Sequence, residues 1–205
     1  MRLLLHCCCG PCTSGVFPAL AAEGHAVTGF YTNPNIHPED EYRRRLENLR
    51  RYAAASGMPL RWEESYEPER YFDALGPDPD LRQGYRCRHC YGVRLRAVAA
   101  EARRMGADAF TTTLLISPYQ DQEWLRRVGE EAGRAAGVPF LFRDFRPWYR
   151  PSISRSKELG LYRQNYCGCT YSREESRAWR AAREERRRRK AKTEAGAGRS
   201  PEIGH

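Results

Sequence analysis

No apolar run in this 205-residue sequence approaches the roughly 20 residues that a helix needs to cross a bilayer, so no membrane span is expected. The opening Met1-Arg2-Leu3-Leu4-Leu5-His6 turns into cysteines too soon to be the apolar core of a signal peptide, and the expected location is the cytoplasm. Internal repeats are absent. Acidic charge is scarce: 26 Asp and Glu stand against 35 Lys and Arg, a net +9. With a pI near 9.3, that balance favours polyanionic partners, leaving RNA, DNA and anionic membrane surfaces open.

What is plentiful is cysteine. Eight are present, and in a reducing compartment they point to metal ligation or redox chemistry rather than structural disulfides. The length suggests one domain with ample residues for a core. Mean hydropathy is low, at −0.78, partly because of the C-terminal tail. From Arg173 onward, eleven Lys and Arg face six Asp and Glu, so the tail carries +5 of the chain's +9.

Apolar and β-branched runs predict strands over residues 2–6, 26–31, 60–64, 109–116 and 139–143. Helical spacing predicts helices over 14–23, 39–56, 91–105 and 120–136, with residues 78–86 irregular. This alternation implies an α/β, Rossmann-like parallel sheet of about five strands flanked by helices. Residues 173–192 read as an exposed charged helix, and 193–205 as disordered. Ligands of such sheets bind beyond the carboxyl ends of the strands, which is where the first cysteines fall.

The cysteines form three groups: Cys7-Cys8-Cys9 with Cys12, Cys87 with Cys90, and Cys167 with Cys169. Each group alone is a weak signal, and buried thiols are the plainer reading of any one. Paired at ligand spacing in three separate stretches, they point to one metal centre. A structural zinc is saturated by a tetrahedral set. The thiolates here exceed that number and suit an iron–sulfur cluster, with room for a second metal. Adjacent Cys8 and Cys9 chelate one ion poorly and suit two neighbouring metals, or a ligand beside a reactive thiol. A helix starting just after Cys12 would lower its pKa, so Cys12 is expected to be a thiolate.

Four segments carry a resemblance. They are His6-Cys7-Cys8-Cys9-Gly10-Pro11-Cys12, Tyr31-Thr32-Asn33-Pro34-Asn35-Ile36, Thr111-Thr112-Thr113-Leu114-Leu115-Ile116-Ser117-Pro118, and the stretch from Lys157 to Cys169 ending Asn165-Tyr166-Cys167-Gly168-Cys169. Together with Cys87-Arg88-His89-Cys90, they resemble the QueH-type epoxyqueuosine reductases over about residues 2–175. The resemblance implies two-electron removal of the epoxide oxygen from epoxyqueuosine at the tRNA wobble position, the last step of queuosine synthesis. It also implies a 4Fe-4S cluster beside a second metal ion, iron or zinc, with an external electron donor and no cobalamin. Carried over residue by residue, the cluster-binding set is Cys8, Cys9, Cys87, Cys90, Cys167 and Cys169, and the metal-ligand set adds Cys12. Cys7 falls at a variable position of the family and is left out. The position of Cys12 can hold Asp in the family. On this reading residues 1–175 form the catalytic domain and 176–205 a basic, partly helical tail.

Proton donors are harder to assign. Tyr119 and Asp121 are the candidates, with His6 and His37 also near predicted strand ends; a turn and helix start is the plainer reading of Ser117 to Asp121. Arginine clusters at Arg43–Arg45, Arg50–Arg51 and Arg186–Lys190 could meet RNA phosphate, and Tyr31, Tyr119, Trp148, Tyr149 and Tyr166 could stack on bases. A solvated helix face is the plainer reading of the Arg43 cluster. Two other functions compete. One is an ATP-dependent, thiolase-like tRNA-modifying enzyme, which lacks support because Pro11 sits where a glycine-rich loop would cradle phosphate. The other is a non-enzymatic zinc-bound RNA-binding module.

Overall fold

The computed structural model describes residues 1–76 and 84–197. Four parallel strands, β1 (Arg2–His6), β2 (Ala26–Tyr31), β3 (Leu60–Trp62) and β4 (Ala109–Thr112), form a sheet in the order β3-β2-β1-β4. In register, Leu5 of β1 pairs with Gly29 on one side and Thr111 on the other. Leu3, Leu4 and Leu5 are all buried, as a central strand covered on both faces requires.

The parallel α/β class is as read from the sequence. The stretch 139–143, expected as a fifth strand, touches β4 through one bridge, Phe110 to Phe140. Pro139 has no N–H to extend the pairing backward, and β4 itself ends at Thr112, so the pairing stays a single bridge. The fourth strand is shorter than its apolar run. Thr112 Oγ1 accepts the Leu114 N–H at 3.1 Å and turns the chain into a 3₁₀ turn over Thr113–Ile116.

Helices α1 (Gly10–Ala22), α2 (Glu39–Ser56), α3 (Glu69–Leu75), α4 (Tyr85–Met105), α5 (Gln122–Ala136) and α6 (Tyr149–Glu158) surround the sheet. Helices α3 and α6 were not expected from sequence. Helix α1 begins four residues before its predicted start, with Cys9 as its N-cap and Pro11 in the first turn, where its missing N–H costs nothing. Helix α4 begins six residues early, so Cys87 and Cys90 are helical. The predicted irregular segment falls mostly on residues 77–83, outside the described residues.

The chain divides into two compact units, Met1–Gln164 and Asn165–His205. The second contains helix α7 (Thr170–Ala197). The disorder expected over 193–205 falls mostly on 198–205, also outside the described residues. Among the described residues, no helix is long and apolar enough to cross a membrane.

Close packing of α1 on α6 positions the site. A Cβ on Gly15 would lie 2.6 Å from Ile116 Cδ1, 2.8 Å from Ser152 Cβ and 3.3 Å from the Trp148 carbonyl oxygen. Overpacking of this kind costs about 1–3 kcal/mol. Gly15→Ala should therefore lower stability by about that amount, measured by denaturant unfolding.

Candidate metal centre

Cys8, Cys9 and Cys12 converge beyond the carboxyl end of β1, their sulfurs all within 4.8 Å of one another. The geometry follows from helix capping. Cys9 is extended, its carbonyl accepts the Thr13 N–H at 3.2 Å, and its Sγ accepts the Cys12 N–H at 3.5 Å. The Cys8 and Cys9 sulfurs are 3.7 Å apart, and the Cys8 N–H donates to Thr113 Oγ1 at 3.0 Å. Gln164 Nε2 adds a donor to Cys9 Sγ at 2.9 Å. Backbone N–H groups that could cradle phosphate are thus turned to sulfur, which gives the ATP-dependent reading no support.

Protons are shared unequally within the trio. Hydrogen bonds from Cys12 and Cys9, reinforced by the Arg94 guanidinium, hold Cys8 well below the usual thiol range. Cys12 relieves Cys9 in part, but its bond to Cys8 and its burial push Cys9 up to about 12. Cys12 is raised well above its ordinary value, because its thiol bonds to Cys8 and Cys9 and is buried. The expectation of a Cys12 thiolate is therefore corrected. The helix starts before Cys12, not after it, and the shifts favour the charged form at Cys8 rather than at Cys12. Cys7 stands apart: its thiol donates to the Leu5 carbonyl at 3.3 Å, and burial pushes it up to about 12.

Two buried arginines flank the trio. Arg94, one turn beyond Cys90 on α4, places Nη1 3.8 Å from Cys90 Sγ and donates from Nη2 to Asn33 Oδ1 at 2.7 Å. Asn33 in turn donates to the Cys7 carbonyl at 3.0 Å. Arg45 is paired with Glu41 at 2.7 Å, and its charge is felt with that of Cys9. Glu41 also accepts from the Tyr162 hydroxyl at 2.9 Å. Neutral thiols give two buried guanidiniums little, whereas several thiolates gain from them. The donor set therefore fits a metal centre. Arg45 was expected in a cluster open to RNA or solvent and is instead buried, whereas Arg94 drew no expectation from the sequence. Each stands four residues after its partner on a helix, the spacing that could have flagged it.

The remaining cysteines also sit at helix starts. Cys87 and Cys90 lie one turn apart in the opening turns of α4. In the second unit, Cys167 and Cys169 place their sulfurs 3.9 Å apart. Gly168 between them has φ of 139°, a conformation open to glycine. Cys169 Sγ accepts the Ser172 N–H at 3.4 Å, while its carbonyl accepts the Arg173 N–H at 3.1 Å, repeating the arrangement at Cys9.

His6 has both ring nitrogens engaged: Nε2–H donates to the Thr32 carbonyl at 3.2 Å, and Nδ1 accepts from the Thr112 hydroxyl at 2.7 Å. Burial, then Arg94, lowers its pKa to about 3, so it is a neutral structural histidine. His37 bonds the Tyr66 hydroxyl through Nδ1 at 2.9 Å. Tyr31 is wholly buried and donates to the Tyr42 carbonyl, which removes it from the set of stacking aromatics. On α2, Arg43 and Arg50 pair with Glu39 and Glu47, as a solvated face would.

Asp121 caps α5, Oδ1 accepting the Trp124 N–H at 3.0 Å. Its own N–H donates to the Tyr91 hydroxyl oxygen at 3.3 Å, and that hydroxyl donates to Gln120 Oε1 at 2.9 Å. Burial and the neighbouring Cys87 keep the Tyr91 phenol protonated. Asp121→Ala should cost about 1 kcal/mol of stability, and Asp121→Asn much less, when the variants are unfolded in denaturant.

The family model described as epoxyqueuosine reductase QueH matches residues 3–175. The chain is 40% identical over 171 residues to epoxyqueuosine reductase QueH of Dehalococcoides mccartyi, covering 83% of this chain and 92% of that one. It is 36% identical over 176 residues to the Thermotoga maritima protein of the same name, with coverage of 83% and 89%. A third relative, from Haemophilus influenzae, is 35% identical over 185 residues, with coverage of 87% and 74%. The cysteine trio and its helix-capped frame thus lie within a match that spans most of the molecule, and the chain belongs to the QueH family of epoxyqueuosine reductases.

Proposed function

We propose that this protein reduces epoxyqueuosine to queuosine at the wobble position of tRNA in the cytoplasm, using electrons from an external donor and no cobalamin. The observation that carries the reading is the trio of buried Cys8 and Cys9 with half-buried Cys12 at the strand ends, flanked by Arg45 and Arg94. The reaction takes up two electrons and two protons. Both C–O bonds of the epoxide break, the oxygen leaves as water, and a carbon–carbon double bond remains.

Four of Cys8, Cys9, Cys87, Cys90, Cys167 and Cys169 would hold the irons of a 4Fe-4S cluster, and Cys12 with the remaining sulfurs would hold a second metal ion, iron or zinc. Bound there, the cluster supplies electrons singly and the second metal acts as a Lewis acid toward the epoxide oxygen. The chain's own residues set the conditions for this. Arg94, and Arg45 with its Glu41 partner, place buried positive charge near Cys8 and Cys9. The helix starts at Cys9, Cys87 and Cys169 supply N-terminal partial positive charge to the sulfurs. Tyr119 and Asp121, in the turn after β4, stay only candidates for proton delivery, Asp121 Oδ1 already being engaged in capping α5. Arginines of α7, four of them in an unbroken run from Arg186 to Arg189 ahead of Lys190, suit sequence-independent phosphate contact.

The test is conversion of epoxyqueuosine-containing tRNA by anaerobically purified protein with a chemical reductant, followed by nucleoside mass analysis. Queuosine should accumulate only with reduced protein. Unchanged epoxyqueuosine with fully metal-loaded, reduced protein would overturn the proposal.

A further inference from the structure

Beside Cys12 the surface carries an aromatic pair that the capping and ligand arguments leave unused. Tyr119 is 76% exposed, the most exposed of the large apolar or aromatic side chains among the described residues. It stands in the turn between the 3₁₀ segment at the end of β4 and helix α5, at the ligand-binding end of the sheet. Its ring meets that of Tyr149 edge-on, with centroids 6.2 Å apart at 83°. Tyr149 opens α6, which packs on α1 through Gly15. Cys12 lies one turn before Gly15 on the same face of α1, so this packing brings Tyr149 toward the cysteine. Cys12 and the exposed Arg163 both lie within electrostatic range of the Tyr149 phenol.

An edge-on partner holds Tyr149 against one side of Tyr119 and leaves a face of the Tyr119 ring to solvent. Single-stranded RNA is gripped by such faces, because every base has a π-surface, and a guanidinium at the edge adds cation–π and phosphate attraction. We infer that Tyr119 and Tyr149 form a stacking platform for an unpaired nucleobase that flanks the nucleoside reacting at the cysteine centre. The inference rests on the proposed reaction for the identity of the RNA, and adds how its loop is held. Duplex RNA offers no splayed base and gains nothing from the platform.

The test uses the full-length, metal-loaded protein without reductant. Equilibrium binding is measured for an unmodified anticodon stem–loop RNA and for a fully paired RNA of equal length. Tyr119→Ala should weaken stem–loop binding about tenfold and leave duplex binding unchanged, and Tyr119→Phe should restore stem–loop affinity to within about twofold. Undiminished stem–loop binding by Tyr119→Ala would overturn the inference, as would equal losses on both RNAs. A loss in Tyr119→Phe as large as in Tyr119→Ala would overturn it too, since the hydroxyl and not the ring would then make the contact. A parallel arm follows conversion of an epoxyqueuosine-containing stem–loop by the reduced wild-type protein. Failure there, with the Tyr119 binding pattern as expected, would overturn the reaction and not the platform.

Discussion

Cys8→Ala should reduce conversion of epoxyqueuosine by more than about a hundredfold and strip bound metal, because even residues that merely support metal ligands cost 10–100-fold when lost. Cys8 is the sulfur on which the others converge. It takes hydrogen bonds from Cys9 and Cys12, and Arg94 stabilises its negative charge. The fold should survive, since the Cys8 backbone N–H still reaches Thr113 Oγ1. Cys7→Ala is the matched control. Its thiol is equally buried but bonds the Leu5 carbonyl, so metal content and conversion should stay at wild-type levels. Metal analysis, unfolding and single-turnover conversion of both variants check the contrast. Retained metal and activity in Cys8→Ala would remove it from the centre.

The second large effect concerns Cys12. Helix α1 holds it in its first turn, and its bonds to Cys8 and Cys9, with burial, hold its thiol above the ordinary range. A cation bound beside it would reverse that preference, since a metal-coordinated thiol is deprotonated. Cys12→Ala should keep the brown colour of a cluster yet lose conversion by about a hundredfold or more. Cys12→Asp should recover an appreciable part of the activity, because a carboxylate binds iron or zinc and is favoured in a first helical turn. Visible absorbance, metal content and conversion, measured side by side, separate the outcomes. A bleached Cys12→Ala would place Cys12 among the cluster ligands, and a fully active one would place it outside the site.

Much of the frame was legible in the sequence for plain physical reasons. Leu3 to Leu5 form a run with no polar face, which only a strand covered on both sides tolerates. Glu39 to Ser56 declare a helix by their charge spacing and their closing Gly57. Helix starts were less legible. Cys9 caps α1 with a sulfur, a weak acceptor absent from the usual capping set, so the first turn was read as loop. Gly84 caps α4 with no side chain at all, and Cys87 was again placed outside the helix. Strand ends misled for a related reason. Thr113 to Ile116 have β-forming side chains, yet the Thr112 hydroxyl captures the Leu114 N–H and ends the ladder early.

The site was legible in its sulfurs and silent in its charges. Spacing grouped Cys7, Cys8, Cys9 and Cys12, the family resemblance set Cys7 aside, and the structure brings the other three together. Arg45 and Arg94 lie within helices full of other arginines, where composition cannot separate a buried guanidinium from a solvated one. The direction in which each thiol is shifted was unreadable for the same reason, since it depends on which sulfur faces Arg94 and on the bonds among the three.

The central claim is that these thiols hold an iron–sulfur centre, and metal and acid-labile sulfide analysis of anaerobically purified protein tests it most directly. The expected result is a brown protein containing iron and sulfide, bleached by Cys87→Ala or Cys90→Ala. A colourless, sulfide-free preparation that converts epoxyqueuosine at full rate would contradict it.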